Sequence, residues 1–352
     1  MYNLNILTYN VMLSVPEPIR FNGQKCRSEI LPDIINRICE DIDLDIIVFT
    51  EFVNNKYTRY VSKKIHEHGW IYRSGYTRGY SPLGDSVHIF SRYPILETKC
   101  KHVNFDCGSY DCFVNKGFVF VKILKNDQIV NLIGLHLQAG NTNIDTSIRK
   151  KQLISLNMFI SNIKTNKEEP LIITGDFNID LNTDRKTITD ICKNLNIVDL
   201  TGKNQFTINP DNNTLVGNDD PDFYISEEYP YGCYDKYIKT SHCECCPRQL
   251  LDFSLYCEYN KSPIECDMFV KILNVENLEI QYNLTTVKQT NSISDHHPII
   301  TRFLYSSNEK KRNIKYNRDK THTKSNSYLY IFLVFSTLFI LILFRYDRKQ
   351  LI

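Results

Sequence analysis

The hydrophobic pattern of this 352-residue chain is dominated by short apolar runs that end in polar side chains. Four such runs, each five or six residues long and rich in β-branched residues, are typical of buried β-strands. They are residues 4–9 before Asn10, 46–50 before Glu51, 130–135 before His136, and 170–175 before Asp176 and Asn178. Because the carboxyl ends of buried strands can meet at one edge of a sheet, we expect these polar side chains to form one site.

A second pattern, with apolar residues three or four positions apart, predicts amphipathic helices between the strands. Residues 28–41 carry isoleucines at this spacing, and Ser28 is the expected N-cap. Residues 149–163 have the same spacing of leucine, isoleucine and phenylalanine. Helices that alternate with strands in this way predict an α/β fold.

The longest apolar run, residues 328–344, contains no charged side chain. Its 17 residues lie at the lower end of the roughly 17–25 that span a bilayer. The run is apolar on every face and follows the predicted strands and helices, which favours a transmembrane helix over a buried core helix. The predicted organisation is therefore a folded domain over 1–305, a basic linker over 306–327, the span, and a short tail over 345–352.

The charges around this run predict its orientation. Seven lysine and arginine residues lie in the linker before it, and three follow it. The larger basic group is expected on the cytosolic side, which predicts a single-pass C-terminal anchor with a cytosolic domain. A short span suits a thin membrane, such as that of the endoplasmic reticulum or another endomembrane. The basic linker fits either binding to anionic lipid or a solvated tether.

Composition adds three limits. The 42% hydrophobic content allows one large core, and a net charge of only +2 argues against a basic nucleic-acid surface, so no nucleic-acid partner is expected. No signal-peptide pattern is visible at the start, which favours reduced thiols among the 12 cysteines. Cys243 and Cys246 form a single Cys-x-x-Cys pair without a second at zinc-ribbon spacing, so loop thiols are favoured over zinc.

The candidate chemistry combines hard oxygen ligands with imidazoles. Ser294, Asp295, His296 and His297 form a polar tetrapeptide, and Asp252 stands between apolar neighbours, where a buried carboxylate needs a partner such as a histidine. Together with the side chains at the strand ends, these groups suit Mg²⁺ or Mn²⁺ and a phosphate ester. His297 is expected to bond locally and not to act as a second base.

Five motifs in order along the chain resemble the endonuclease/exonuclease/phosphatase superfamily. They are Thr8-Tyr9-Asn10, Thr50-Glu51, Gly175-Asp176-Phe177-Asn178, Leu251-Asp252-Phe253 and Ser294-Asp295-His296. The resemblance covers roughly residues 1–303. It implies a DNase-like four-layer α/β sandwich, with two packed mixed sheets flanked by helices, and a metal-dependent phosphoesterase.

Three further stretches, residues 115–123, 134–139 and 206–213, are similar to the neutral sphingomyelinase branch of that superfamily. This resemblance implies a Mg²⁺-dependent phosphoric diester hydrolase that converts sphingomyelin to ceramide and phosphocholine at a membrane surface. The implied partners are a phospholipid substrate and a membrane, with no obligate protein partner.

The resemblance also implies roles for individual residues. Glu51 is the expected main metal ligand, supported by Asn10. Asp176 and Asn178 are expected to position the nucleophile and stabilise the transition state, and His136 to contact the phosphate.

The remaining implied roles concern the base and its surroundings. His296 is the expected base, or a water-mediated partner of the metal, with Asp252 orienting it and Asp295 tuning the metal region. Asp111 and Lys116 resemble an Asp/Lys pair that positions the active-site loop of sphingomyelinases.

Two departures from secreted bacterial members stand out. In those members a cysteine near Cys107 pairs with one after the His-Leu-Gln-Ala motif, but residues 140–149 here contain no cysteine, so that bridge cannot form. Residues 271–293, which correspond to an aromatic membrane-inserting hairpin, contain no tryptophan. The alternatives are a nuclease or another phosphoesterase, acting on a phosphoinositide or a lysophospholipid, and a non-catalytic membrane adaptor on the same fold.

Overall fold

A computed structural model of the chain describes ten stretches, which are residues 1–14, 23–53, 56–74, 83–103, 106–202, 205–213, 215, 248–275, 278–281 and 287–307. All of them belong to one compact unit, Met1–Glu309, of the two into which the chain divides. None of the helices in these stretches is long and apolar enough to cross a membrane. The predicted span 328–344, the linker from residue 308 onwards and Cys243–Cys246 lie outside the described residues.

The described residues contain 14 strands. In sequence order they are β1 (Tyr2–Asn10), β2 (Ile46–Thr50), β3 (Tyr72–Arg73), β4 (His88–Ser91), β5 (Ile95–His102), β6 (Gly117–Lys125), β7 (Gln128–His136), β8 (Leu171–Asp176), β9 (Leu195–Ile197), β10 (Asp252–Cys257), β11 (Glu265–Val270), β12 (Leu278–Gln281), β13 (Val287–Thr290) and β14 (Ile299–Tyr305). Two six-stranded sheets result, ordered β11-β14-β1-β2-β4-β3 and β5-β6-β7-β8-β10-β9, and β12 pairs with β13. Both large sheets are mixed, because β1–β2 and β7–β8 are parallel pairs among antiparallel ones.

The helices cover the outer faces of the two sheets. They are α1 (Gln24–Asp41), α2 (Lys56–Glu67), α3 (Asn143–Asn162) and α4 (Leu181–Ile191), with a short 3-10 helix over Ser109–Phe113. Apolar residues of α1 and α2 pack on the β1–β2 face, and those of α3 and α4 on the β7–β8 face. The α/β sandwich with two mixed sheets predicted from the sequence is confirmed.

The strand predictions are confirmed, whereas both predicted helix starts are wrong. α1 begins at Gln24 after Gly23, and Ser28 lies inside the helix, where its hydroxyl donates to the carbonyl of Lys25. α3 begins at Asn143, because Thr142 and Asp145 form a capping box there. The first turn of α3 is partly polar, so the apolar spacing did not mark it.

The inner faces of the two sheets approach closely beneath the polar strand ends. A side chain at Gly134 of β7 would contact Val48 and Val87 of the opposite sheet at 3.0 Å, so glycine permits this approach. Buried hydroxyls also bridge the sheets, since the Oγ1 atoms of Thr8 and Thr174 lie 2.7 Å apart. The packing brings the end of β1 next to the end of β8.

Candidate active site

The strand ends from both sheets meet at one edge of the sandwich. In the first sheet, β1 ends at Asn10, and β2 ends just before Glu51. Because β14 runs antiparallel to β1, residues 294–296, which precede β14, lie at the same edge. In the second sheet, β7 and β8 end there together, with His136 opposite Asp176. β10 runs antiparallel to β8, so Asp252 lies opposite Asp176. The pairing register of these strands is therefore sufficient to bring most of the predicted site residues together.

Asp252 and His296 form the tightest contact of the site. The Nδ1 atom of His296 lies 2.6 Å from Oδ2 of Asp252, and the two side chains are 6% and 0% exposed. Thr207, a residue that the sequence analysis did not single out, supports this pair, because its hydroxyl accepts from the backbone N–H of Asp252 at 3.4 Å. The expectation that a buried Asp252 pairs with a histidine is confirmed by this geometry.

Charge determines the ionisation of His296. Burial alone would lower its pKa, but the charge and hydrogen bond of Asp252, followed by the charges of Asp176 and Asp295, raise the pKa well above its usual value. His297 is different, because burial and the charge of His296 lower its pKa to about 4. Its Nε2 lies 2.8 Å from the Oδ1 of Asn212, which agrees with a local bonding role.

Asp176 lies at the centre of the polar cluster. Its Oδ2 accepts from the Nδ2 of Asn10 at 2.9 Å, and its Oδ1 accepts from the backbone N–H of Asn178 at 2.8 Å. Burial, followed by the charge of Asp252, raises the pKa of Asp176 to about 7. Potential ligand atoms of Asp176, Asp252 and His296 all lie within 4.8 Å of one another.

Glu51 lies beside this cluster in a left-handed backbone conformation with φ of 51°. Its Oε1 accepts from Asn10 at 3.1 Å, and its Oε2 accepts from the hydroxyl of Ser14 at 2.8 Å. The Oδ1 of Asn10 accepts from the N–H of Met12 at 3.1 Å, so the amide nitrogen of Asn10 is the atom between the two carboxylates. Metal binding by Glu51 and Asn10 stays a prediction, with Asn10 observed as a donor to both acids.

His136 is 1% exposed and lies at the end of β7. Its Nε2 lies 3.6 Å from Oδ2 of Asp176, and its Nδ1 lies 2.6 Å from the hydroxyl of Ser86. Burial, followed by the positive charges of Lys116 and His296, lowers the pKa of His136 well below its usual value. Sequence reasoning missed Ser86, since no periodic pattern or spacing relates it to a histidine 50 positions away.

Asn178 also has a left-handed backbone, with φ of 51°. Its Nδ2 donates to the carbonyl of Leu137 at 3.0 Å, and Lys116 donates to the same carbonyl at 3.0 Å. Lys116 in turn lies 2.8 Å from the carboxylate of Asp111, which accepts from the backbone N–H of Ala139 at 2.6 Å. The predicted Asp111–Lys116 pair is therefore in contact, and it reaches Asn178 through one carbonyl.

A disulfide closes the loop that carries Asp111. Cys107 and Cys112 are bonded, with their Cα atoms 5.4 Å apart, so the prediction of reduced thiols is wrong for these two residues. Cys112 lies within the 3-10 helix Ser109–Phe113, only five positions after Cys107, and no periodic pattern in the sequence indicates a bond over so short a separation. Cys257 and Cys266, by contrast, are not disulfide-bonded.

Asp295 occupies a more peripheral position. It is half-buried, and its Oδ1 lies 3.2 Å from the Oγ of Ser294. The hydroxyl of Ser294 donates to the carbonyl of Asn10 at 2.7 Å and accepts from the N–H of His296 at 3.3 Å. Ser294 thus fixes the loop before β14 against β1, whereas the predicted tuning role of Asp295 stays a prediction.

The acid cluster suits a divalent cation. Two buried carboxylates, Asp176 and Asp252, lie close together, and Oδ1 of Asp252 has no hydrogen-bond partner among the described residues. A cation would compensate the buried negative charge, and carboxylate oxygens are the ligands that Mg²⁺ prefers. The donor set of the described residues therefore fits Mg²⁺ and, with an imidazole present, also Mn²⁺.

Comparison with protein families gives a match over most of the chain. The model of the Endonuclease/Exonuclease/phosphatase family 2 matches residues 7–302. These residues include every predicted site residue, from Asn10 to His296.

Among curated proteins, the chain is similar to a sphingomyelinase C of Listeria ivanovii and a phospholipase C of Staphylococcus aureus. The first is 35% identical over 135 residues, which are 37% of this chain and 39% of the relative. The second is 31% identical over 192 residues, which are 49% of this chain and 57% of the relative. The matched part thus spans less than two thirds of the length of each of these relatives.

Among solved structures, a mutant of the Staphylococcus aureus beta toxin with bound magnesium ions has a TM-score of 0.68 to this chain. The match covers 87% of this chain and 100% of that one, at 21% identity. At this identity the likeness shows that the two chains share a fold.

Proposed function

The chain belongs to the Endonuclease/Exonuclease/phosphatase family 2, and we propose that it is a Mg²⁺-dependent phosphodiesterase that hydrolyses sphingomyelin to ceramide and phosphocholine at a membrane surface. The observation that carries the proposal is the buried cluster of Asp176, Asp252 and His296, with Asn178 and His136 beside it. The curated relatives named as a sphingomyelinase C and a phospholipase C support the choice of lipid.

The proposed metal-binding residues are Glu51 and the buried acids Asp176 and Asp252. Asn10 donates to Glu51 and to Asp176 and so holds these two carboxylates in place. When bound, the cation neutralises phosphoryl oxygens and stabilises the charge that develops on the leaving oxygen. The beta-toxin structure with bound magnesium ions supports this choice of metal. The buried negative charge of the cluster supports it independently.

His296 is the proposed general base, and the positive charge of a bound cation would offset the acidic charges that raise its pKa in the metal-free protein. Its Nδ1 is occupied by Asp252, so proton transfer from an attacking water falls to Nε2. The carboxylate of Asp252 holds the orientation of the ring and stabilises the imidazolium that forms. The proton later passes from His296 to solvent or to the leaving alkoxide of the ceramide, which restores the neutral base.

Asn178, Asp176 and His136 surround the proposed position of the phosphoryl group. Asn178 is held through its backbone by Asp176 and through its amide by Leu137, so its position is fixed before substrate binds. Such preorganised polar groups stabilise charge that develops in the transition state at little reorganisation cost. The proposed role of His136 is to donate one hydrogen bond to a phosphoryl oxygen.

The Asp111–Lys116 pair has a proposed positioning role. Lys116 and Asn178 donate to the same carbonyl of Leu137, and Asp111 holds the next turn of chain through Ala139. Loss of the pair would remove two contacts of the segment after β7, one of them to the same Leu137 carbonyl that Asn178 binds. Neither residue needs to touch the substrate in this role.

A panel of substrates tests the proposal. Equal amounts of sphingomyelin, lysophosphatidylcholine, a phosphoinositide and single-stranded DNA are offered to the metal-loaded protein, and product release is measured for each. We expect the highest kcat/KM with sphingomyelin vesicles, with phosphocholine as the product. Faster cleavage of DNA or of the phosphoinositide would instead assign the site to a nuclease or a phosphoinositide phosphatase.

Membrane anchoring through residues 328–344 remains part of the proposal. It is supported by the uncharged run and by the excess of basic residues before it. Protease protection in microsomes tests the orientation, because a cytosolic domain is digested without detergent. Protection of the domain until detergent is added would place it on the lumenal side and reverse the proposed orientation.

A further inference from the structure

Ser86 connects two residues of the proposed site that are far apart in sequence. Its Oγ lies 2.6 Å from Nδ1 of His136 and accepts from the backbone N–H of Glu51 at 3.2 Å. The serine is fully buried. Its own backbone is fixed on both sides, because its N–H donates to Asn115 and its carbonyl accepts from Phe52.

The direction of the Ser86–His136 hydrogen bond follows from what each atom can donate. The N–H of Glu51 can only donate, so it uses a lone pair of the Ser86 oxygen. The hydroxyl then has one proton to give, and among the described residues the acceptor within reach is Nδ1 of His136. A neutral imidazole that accepts at Nδ1 carries its proton at Nε2.

The surroundings of Nε2 favour the same tautomer. This atom is buried, has no hydrogen-bond partner in the described part of the chain, and lies 3.6 Å from Oδ2 of Asp176. A lone pair on Nε2 would face the carboxylate and be repelled, whereas an N–H there is attracted to it. A buried N–H without a partner is costly, so this group is poised for an acceptor oxygen supplied by a ligand.

We propose that Ser86 is a positioning residue that holds His136 in the Nε2–H tautomer, so that a neutral His136 donates a hydrogen bond to a phosphoryl oxygen of the substrate. This inference rests on the proposed phosphodiesterase function for the identity of the acceptor. It assigns to the hydroxyl of Ser86 the task that a carboxylate often has beside a site histidine. A hydroxyl fixes the tautomer without adding a charge, so His136 serves as a donor and does not act as a general acid.

Two variants of the same shape isolate the hydroxyl. Ser86→Thr keeps it, whereas Ser86→Val replaces it with a methyl group, and both add the same bulk to the buried position. Ser91→Val is the matched control, since Ser91 is a buried serine of β4 whose hydroxyl accepts from the N–H of Tyr93. Thermal unfolding of all three variants shows which of them retain the fold.

The first measurement is the ¹⁵N chemical shift of the His136 ring in the full chain, assigned by its loss in His136→Gln. We expect wild type and Ser86→Thr to have an acceptor-type Nδ1 and a protonated Nε2, and Ser86→Val to lose this preference. A protonated Nδ1 in wild type, or identical ring shifts in Ser86→Val and Ser86→Thr, would overturn the proposal. Because no substrate is present, this result is independent of the proposed activity.

The second measurement is steady-state hydrolysis of sphingomyelin. We expect kcat of Ser86→Val to fall about 10–100-fold below that of Ser86→Thr, as for other partners that orient a site histidine, with little change in KM. Equal kcat values in two folded variants would overturn the role in turnover. If neither variant nor wild type cleaves sphingomyelin, the proposed function fails, while the ring shifts still decide the tautomer.

Discussion

Asp176 and Asp252 are register partners in the antiparallel pairing of β8 with β10, and both carboxylates are buried. Asp252 has His296 as its counter-charge, whereas Asp176 has the neutral amide of Asn10. Burial and then the charge of Asp252 raise the pKa of Asp176 to about 7. The site therefore carries more buried negative charge than its own side chains compensate, which is the physical basis of the proposed metal dependence.

Metal binding is expected to compete with a proton on Asp176. Its pKa of about 7 lies far above that of an exposed carboxyl, so in metal-free protein it is mostly protonated below pH 7 and ionised above it. Mg²⁺ binding requires the ionised form, so the apparent affinity should rise between pH 6 and pH 8, measured by the shift of thermal unfolding. At 100 times Kd the stabilisation is about 2.7 kcal/mol.

The control for this prediction is Asp176→Asn, which removes the titrating group. In metal-free wild type the pKa of Asp176 is raised to about 7. At pH values between the ordinary pKa of an Asp side chain and this raised pKa, the folded state therefore binds more protons than the unfolded chain. Wild type therefore loses stability relative to Asp176→Asn as the pH rises through this window. Equal pH profiles of the two metal-free proteins would show that Asp176 does not titrate there.

Asp252→Asn is expected to lower kcat about 10²–10⁴-fold while leaving the protein folded. The amide cannot stabilise the imidazolium of His296, and it can present its N–H to Nδ1 and favour the wrong tautomer. The measurement is kcat for phosphocholine release at saturating Mg²⁺. Asp267→Asn, the same change on β11 next to Arg302, is the matched control and should keep wild-type activity.

The Cys107–Cys112 bridge is expected to support the active-site loop. It closes the short helix that carries Asp111, whose carboxylate holds Lys116 and Ala139. Reduction by a dithiol should therefore lower kcat several-fold in wild type. The double variant Cys107→Ser/Cys112→Ser should have this lower activity from the start and should not respond to the dithiol.

Cys39→Ser provides the control for the bridge, because Cys39 is a half-buried free thiol of α1. It should respond to the dithiol as wild type does. Intact mass before and after alkylation reports whether the bridge is present in the protein as isolated. A double variant with wild-type activity would show that the bridge does not support the active-site loop.

Gly175 is expected to be a position that tolerates no side chain. It has φ of 153°, and a Cβ atom there would overlap the backbone carbonyl of Leu135 on β7. Gly175→Ala should cost more than about 3 kcal/mol of unfolding free energy and displace Asp176. Gly69→Ala is the comparison, because Gly69 also has positive φ but open space around it, and should cost only about 1–2 kcal/mol.

Chemical denaturation of these two glycine variants measures both costs in one experiment. The difference between them separates the cost of the close approach of β7 and β8 from the cost of a positive φ, which both glycines have. Equal costs would mean that the strands can separate slightly without loss of packing.

The strand ends were predictable from the sequence because each apolar run stops at a side chain that cannot be buried alone. Asn10, Glu51, His136 and Asp176 follow such runs, and the parallel pairs β1–β2 and β7–β8 carry them to one edge. The resemblance to a known superfamily added Asp111 and Lys116, whose contact the periodic pattern did not indicate.

Other features depend on register and on loop conformation, which periodicity does not encode. The sequence places Ser86 50 residues from His136, and only the packing of the two sheets brings them together. The Cys107–Cys112 bridge depends on a single turn of 3-10 helix, and the start of α3 on a capping box at Thr142. In each case the decisive contact is one hydrogen bond or covalent bond, and not a repeated pattern.

In the proposed reaction, water activated by His296 attacks the phosphorus of sphingomyelin when Mg²⁺ is bound. The most direct measurement is hydrolysis of sphingomyelin vesicles in water labelled with heavy oxygen, followed by mass spectrometry of both products, for wild type and His296→Ala. We expect Mg²⁺-dependent release of phosphocholine that carries the label, unlabelled ceramide, and loss of at least about 10²-fold in rate for His296→Ala. Intact sphingomyelin with folded, metal-loaded wild type, or an unchanged rate in His296→Ala, would contradict it.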